Sequence, residues 1–315
     1  VSAAPAHLHS SEAHHTDSLA RARLGVIGGT GLYAIEDLQG MSEHVVTTPF
    51  GTPSDALQLG RFGELEVVFL ARHGRDHHLL PSEVPYRANL WALRSIGVRW
   101  VLSFSAVGSL QERYRPLDVV VPDQFIDRTC DRPASFFGGG AVAHVSLADP
   151  FCPILSDHLA RSAEACVPAD RRVHRGGTYL CTEGPAFSTR AESSLYQAWG
   201  CAVIGMTNHT EACLAKEAEM AYASLAMVTD YDCWHDSHAD VSVDLVIGNL
   251  RANASLAQRV VQRCAGLLAS SRPSCPAHHA LRDALMTRPG NVPEETRHRI
   301  DLFTAPYWGP LESSP

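Results

Sequence analysis

The sequence predicts an α/β fold: one domain with a central mixed β-sheet, largely parallel, flanked by helices. Two observations predict it. Short apolar runs alternate with longer stretches of helical spacing. No internal repeat or Pro/Gly/Ser-rich linker splits the chain. The strand series begins with LGVI at 24–27, followed at once by the glycine turn GGTG. It continues with LEVVFL at 65–70, WVLSF at 100–104, LDVVV at 117–121, GGTYLCT at 176–182, CAVIGM at 201–206 and YASLAMV at 222–228. Helices are predicted over 86–96, where YRANLWALRSI has amphipathic spacing, and over 189–199, 210–220 and 242–270. Residues 1–22 read as a flexible tail and 23–270 as the single domain. The stretch 271–315 reads as a break, a short helix in RPSCPAHHALRDALM and, from position 287, an irregular Pro-rich tail.

A chain of 315 residues can bury a sizeable core, and 45% hydrophobic with 19% charged residues is ordinary for a globular enzyme. A net charge of −8 argues against non-specific nucleic-acid binding, which rewards a basic surface. It leaves room for a small phosphate ligand, which needs only a local positive site. Nine dispersed cysteines without a CxxC pair read as reduced thiols of a cytoplasmic protein. No apolar run approaches the roughly 18 residues of a membrane helix, and the first residues lack the apolar core of a signal peptide. His7, His9, His14 and His15 lie in that tail without a packed shell, and no metal site is predicted.

Chemistry gathers at strand ends. Gly28-Gly29-Thr30-Gly31 follows a strand directly, where glycines let backbone N–H groups approach an oxyanion and the Thr30 hydroxyl adds a donor. The same residues also suit a plain tight turn, and their spacing is not that of a dinucleotide fingerprint. Arg72 and His73 follow the 65–70 run, and arginine presents a fork of donors suited to phosphate. Ser105 and Ala106 open SAVGS after the third strand, and Met206 with Thr207 closes another. Singly each is weak. Together they are the inventory of a phosphate cradle that uses neither a Walker lysine nor a metal. The run Thr229-Asp230-Tyr231-Asp232 sends two carboxylates out of a buried strand. It reads either as an ordinary acidic loop or as a purine site. In the second case one carboxylate accepts from a 6-amino group, and a protonated one donates to N7, which is general-acid catalysis.

Set side by side, these segments resemble the trimeric purine nucleoside phosphorylase family, and within it the methylthioadenosine phosphorylases. The likeness is carried by VIGGTGLY, TPFGTPSDALQLG, LARHGRDH, PYRANLWALRSIG, SAVGSL, PDQFIDRT, DPFCP, TEGPAFSTRAES, EACLAKEAEM and TDYDCW, running in order from about 24 to 250. The resemblance implies a nucleoside phosphorylase-like fold and phosphorolysis of 5′-methylthioadenosine to adenine and 5-methylthioribose 1-phosphate, within purine and methionine salvage. It implies no cofactor, with inorganic phosphate as co-substrate. Thr30, Arg72, His73, Ser105, Ala106 and Thr207 would hold phosphate, and Met206 would pack under the ribose. Phe187, Ser188, Asp230 and Asp232 would surround the adenine, with Asp230 the catalytic proton donor. Val243 would lie near the 5′ substituent, and His144 would reach that pocket from a neighbouring subunit of a homotrimer. Ser105 stands where threonine is common, Ala186 replaces a larger polar residue, and NHTE at 208–211 replaces the frequent TVPE. Broader 6-aminopurine or 6-oxopurine nucleosides, 5′-deoxyadenosine, and a nucleotide-binding regulator without turnover are the alternatives.

Overall fold

Buried strand segments explain the sheet. A computed structural model describes residues 23–28, 38–235, 243–271 and 273–311, with only the backbone described over 243–252. Among the described residues the strands are β1 (Arg23–Gly28), β2 (Gln39–His44), β3 (Leu57–Phe62), β4 (Leu65–Ala71), β5 (Val98–Ser109), β6 (Val119–Val121), β7 (Gln124–Arg128), β8 (Val173–Arg175), β9 (Thr178–Thr182), β10 (Val203–Gly205) and β11 (Ala221–Asp230). The α-helices are α1 (Tyr86–Ser95), α2 (Pro153–Glu164), α3 (Arg190–Ala198), α4 (Asn208–Glu217), α5 (Val243–Ser271) and α6 (Glu294–Trp308).

All strands join one mixed sheet in the order β2-β3-β4-β1-β5-β10-β9-β7, with β11 beside β5 and β6, and β8 beside β6. Consecutive residues of a strand face opposite sides. Val67 and Phe69 therefore pack with Leu155 and Leu159 of α2 and Leu256 and Val260 of α5. Val68 and Leu70 pack with Leu90 and Leu93 of α1 and Ala212 and Ala215 of α4. With both faces covered, the central strands are continuous apolar runs rather than alternating ones. No helix among the described residues is long and apolar enough to cross a membrane.

The sheet is built around a divergence. β5 runs parallel to β1 as far as Ser103, which pairs with Ile27. It next pairs on that side at Gly108 and Ser109, antiparallel to β10. Ser105 and Ala106 thus lie where β5 has left β1 and not yet met β10, while β11 pairs along the other edge throughout. Such a gap at strand ends is where α/β sheets bind ligands.

The C-terminal stretch corrects the sequence reading. The expected short helix before position 287 is a 3₁₀ turn, Pro276–His279, followed by turns. The stretch expected to be irregular contains α6, which buries Ile300 and Phe303. Phe303 meets Phe136 with ring centroids 4.5 Å apart, and Thr296 Oγ1 donates to the Gly139 carbonyl at 2.7 Å. Burial of one sparse apolar face outweighs the helix-breaking content of a sequence with Pro306 in its last turn.

Candidate active site

At the end of β4, Arg72 is almost wholly buried. Its Nε donates to Glu211 Oε1 at 2.5 Å, its Nη2 to Glu211 Oε2 at 3.3 Å and Ser103 Oγ at 2.7 Å, and its Nη1 to the Phe104 carbonyl at 3.0 Å. Four of its five N–H donors therefore have partners inside the protein. Expected from the sequence to hold phosphate, Arg72 already shares its charge with Glu211. What remains for a ligand among the described residues is one Nη1 N–H. His73 is buried too, and its Nδ1 lies 2.9 Å from the Leu79 carbonyl, so Nδ1 carries the proton and donates. Burial and then the neighbouring Arg72 lower its pKa to about 4, which leaves the ring neutral near pH 7.

Across the gap, Ser105 Oγ is buried with no hydrogen-bond partner among the described residues. Thr207 occupies the N-cap of α4 without making a side-chain cap bond, so its hydroxyl is uncommitted to the helix. A helix N-terminus, two hydroxyls and the backbone beside Ala106 form an anion-seeking wall without an added cation. Thr30 lies outside the described residues. Only Gly28 of its turn is described, and the Gly28 carbonyl accepts from Arg72 N at 3.0 Å.

The wall continues into a second region. Met206 is half-buried, and its carbonyl accepts from Arg132 Nη1. Arg132 also donates from Nε to Glu183 Oε1 at 2.9 Å, from Nη1 to Tyr86 Oη at 3.2 Å, and from Nη2 to the Thr182 and Glu183 carbonyls. It clamps the ends of β9 and β10 together. Beyond lies the cis Gly184–Pro185 bond. A Cβ at Gly184 would come within 2.5 Å of Met206 Sδ, so only glycine admits this approach. The following loop carries Phe187, 48% exposed, and Ser188, whose carbonyl accepts from Cys233 Sγ at 3.2 Å.

Cys233 brings that loop to the acidic run. Asp230 ends β11 opposite Gly108, and its Oδ1 accepts from Asp232 N at 2.8 Å. Asp232 has φ 51°, and its buried Oδ2 has no partner among the described residues. Burial raises the pKa of both carboxyls, and for Asp232 the charge of Asp230 adds to the rise. A Cβ on Gly108 would lie 3.0 Å from Asp230 Oδ1, so a side chain there would push on the carboxylate by a few tenths of an ångström.

Two expected residues remain, His144 and Val243. His144 is exposed, its backbone N–H bonded to the Ala284 carbonyl at 2.9 Å. No hydrogen bond or ion pair among the described residues links it to Asp230, Met206 or Arg72. Val243 starts α5, and its side chain lies outside the described residues.

A model of the phosphorylase superfamily matches residues 23–266. The chain belongs to the phosphorylase superfamily. It is similar to the S-methyl-5′-thioadenosine phosphorylase of Prochlorococcus marinus, 62% identical over 291 residues, covering 92% of this chain and 93% of the relative. It is also similar to that of Thermosynechococcus vestitus, 53% identical over 286 residues, covering 91% and 99%. Among solved structures, a methylthioadenosine phosphorylase from an antarctic soil metagenomic library superposes with a TM-score of 0.86 at 50% identity, covering 90% of this chain and 99% of that one. A substituted adenosine/methylthioadenosine phosphorylase from Schistosoma mansoni, in complex with methylthioadenosine, gives 0.73 at 37% identity, covering 79% and 92%.

In this phosphorylase, sequence reasoning missed Arg132 and Glu211. The available signal was chemical rather than positional: an arginine in IDRTCDRP and a glutamate just ahead of the apolar run ACLA, each needing a partner once buried.

Proposed function

We infer that the chain catalyses phosphorolysis of 5′-methylthioadenosine, giving adenine and 5-methylthioribose 1-phosphate with inversion at the anomeric carbon. The observation that carries this reading is the pair Asp230 and Asp232, buried at the cleft with raised pKa values and one carboxylate oxygen unpartnered among the described residues. A 6-aminopurine supplies the complement. Its N6–H donates to Asp232 Oδ2, and its N7 receives a proton from Asp230. The C1′–N9 bond breaks with its electron pair going to the purine, and protonation at N7 neutralises that charge. The sugar passes through an oxocarbenium-like state, and a phosphate oxygen bonds to C1′ from the opposite face.

Phosphate is held by Thr30, Ser105, the backbone at Ala106, His73, Thr207 and the remaining Nη1 N–H of Arg72. Met206 lies under the ribose, and Phe187 and Ser188 border the base. Most of the acceleration comes from position and fixed donors. The reaction uses no cofactor, since phosphate is the co-substrate. The enzyme acts in the cytoplasm, in purine and methionine salvage. It works as a homotrimer in which His144 completes a neighbour's 5′ pocket. Supporting this, exposed Val142 (44%) and Met286 (66%) flank the strip that carries His144. Incubation with methylthioadenosine should release adenine only when phosphate is present and regardless of EDTA. Adenine release at full rate without phosphate sinks the reading.

A further inference from the structure

β11 breaks register at its functional end. Val228 pairs with Val107 of β5, and the next pairing is Asp230 with Gly108, so Thr229 is the extra residue of a bulge. In an unbroken strand Thr229 and Asp230 would point to opposite faces. The bulge re-aims them. Thr229 Oγ1 lies 2.7 Å from Asp230 Oδ2 and 3.2 Å from the Val107 carbonyl oxygen, with both residues buried. A hydroxyl has one proton and can also accept, whereas the carbonyl only accepts. When Asp230 is ionised, Thr229 donates to Oδ2. When Oδ2 carries the proton, that proton is aimed at the purine, and Thr229 turns its own to the Val107 carbonyl.

We propose that Thr229 is a positioning residue whose hydroxyl follows the protonation state of Asp230, steadying the carboxylate left when the proton moves to the purine. This rests on the reading of Asp230 as the acid at N7. The transfer is balanced: the Asp230 O–H bond breaks, an N7–H bond forms, and the Thr229 proton stays on its own oxygen while its donation turns to the carboxylate. Asp232 N–H holds Oδ1 at 2.8 Å throughout. Among the described residues Asp232 lies against Asp230, and Glu192 of α3 acts on Asp232. β5 and β10 present Gly108 and Ile204 there. None of these changes when Thr229 is altered.

The test compares Thr229→Val, Thr229→Ser and Asp230→Asn, each checked for folding by circular dichroism. Removing a donor from a buried carboxylate makes Asp230 hold its proton to higher pH. In Thr229→Val the basic limb of kcat/KM should move up by about one pH unit, a roughly tenfold change in the ionisation constant. The kcat should fall, and Thr229→Ser should restore both. Phosphate ionises identically in all variants and cancels in the comparison. A Thr229→Val or Thr229→Ala profile that superimposes on the wild type after scaling overturns the proposal, as does a serine variant no better than valine. Asp230→Asn with wild-type rate would instead overturn the acid reading itself.

Discussion

Arg72 and Glu211 form a buried ion pair, Nε to Oε1 at 2.5 Å, that ties the end of β4 to α4 beneath the cleft. Ser103 and Tyr222 also donate to Glu211 Oε2, at 2.7 and 2.8 Å. Every partner of this carboxylate is buried, so deleting the arginine does more than remove a phosphate ligand. Arg72→Ala should cost about 3–5 kcal/mol of stability, the penalty of a buried charge left alone. Arg72→Lys keeps a charge but not the fork, and should fold better while raising the KM for phosphate. Urea unfolding alongside phosphate titration checks both. An alanine variant as stable as the wild type would mean that Glu211 is not held by Arg72.

Asp230→Asn should lower the rate on methylthioadenosine by roughly 10²–10⁴, the usual range for a lost proton donor. It should gain relative activity on inosine, because an amide can donate to a 6-oxygen. Steady-state rates on the two nucleosides decide the point. Wild-type protein that cleaves inosine as fast as methylthioadenosine would refute an amino-purine site.

Arg132 holds three backbone carbonyls, the Tyr86 hydroxyl and the Glu183 carboxylate. Lysine cannot reach all five, and each buried carbonyl left bare costs about 1–3 kcal/mol. Arg132→Lys should therefore loosen Met206 and the loop of Phe187 and Ser188. The KM for nucleoside should rise tenfold or more, with a smaller change for phosphate. Equal effects on the two constants would show that Arg132 serves the whole fold rather than the nucleoside side.

Much of this site was legible in the sequence because strand ends carry their chemistry in short runs. SAVGS, MT and TDYD mark three of the places where β5, β10 and β11 open. Arg72 was legible as a site residue, but its commitment to Glu211 was not. That pairing spans 139 residues and depends on α4 packing into the same core cluster as β4. The edge strands β2, β7 and β8 escaped because they are exposed or short and lack an apolar run. Helix α6 escaped because its buried face is only four residues, Thr296, Ile300, Phe303 and Thr304.

Glu217 gives a pH signature independent of catalysis. It accepts from Ser135 Oγ and Phe136 N, at 2.8 and 2.7 Å. Burial nevertheless raises its pKa from 4.5 to about 7. The folded state holds this proton after the unfolded chain has lost it, so stability from this group falls between pH 4.5 and about 7 and is flat above. Glu217→Gln, which keeps an acceptor without the charge, should stabilise the protein at pH 8 by up to about 3 kcal/mol and have little effect at pH 4. Thermal melts at both values test this. Equal shifts at the two would remove the ionisation argument.

Were Val243 to line the 5′ pocket, as the family resemblance implies, its apolar side chain should favour methylthio over hydroxyl. Burying the extra apolar group gains about 1–2 kcal/mol, and an unpaired hydroxyl loses about 1–3 kcal/mol. The preference for methylthioadenosine over adenosine should be roughly 30-fold or more in kcat/KM. Val243→His should shrink it. An unchanged ratio in a folded variant would show that Val243 does not set 5′ selectivity.

Phosphorolysis, unlike hydrolysis or mere binding, moves phosphate onto the sugar. Phosphorus NMR of the protein with methylthioadenosine and inorganic phosphate tests it most directly. One new sugar-phosphate resonance should grow in step with free adenine, and phosphate should decline equally. Adenine released without that resonance, or no adenine at all, would contradict the account.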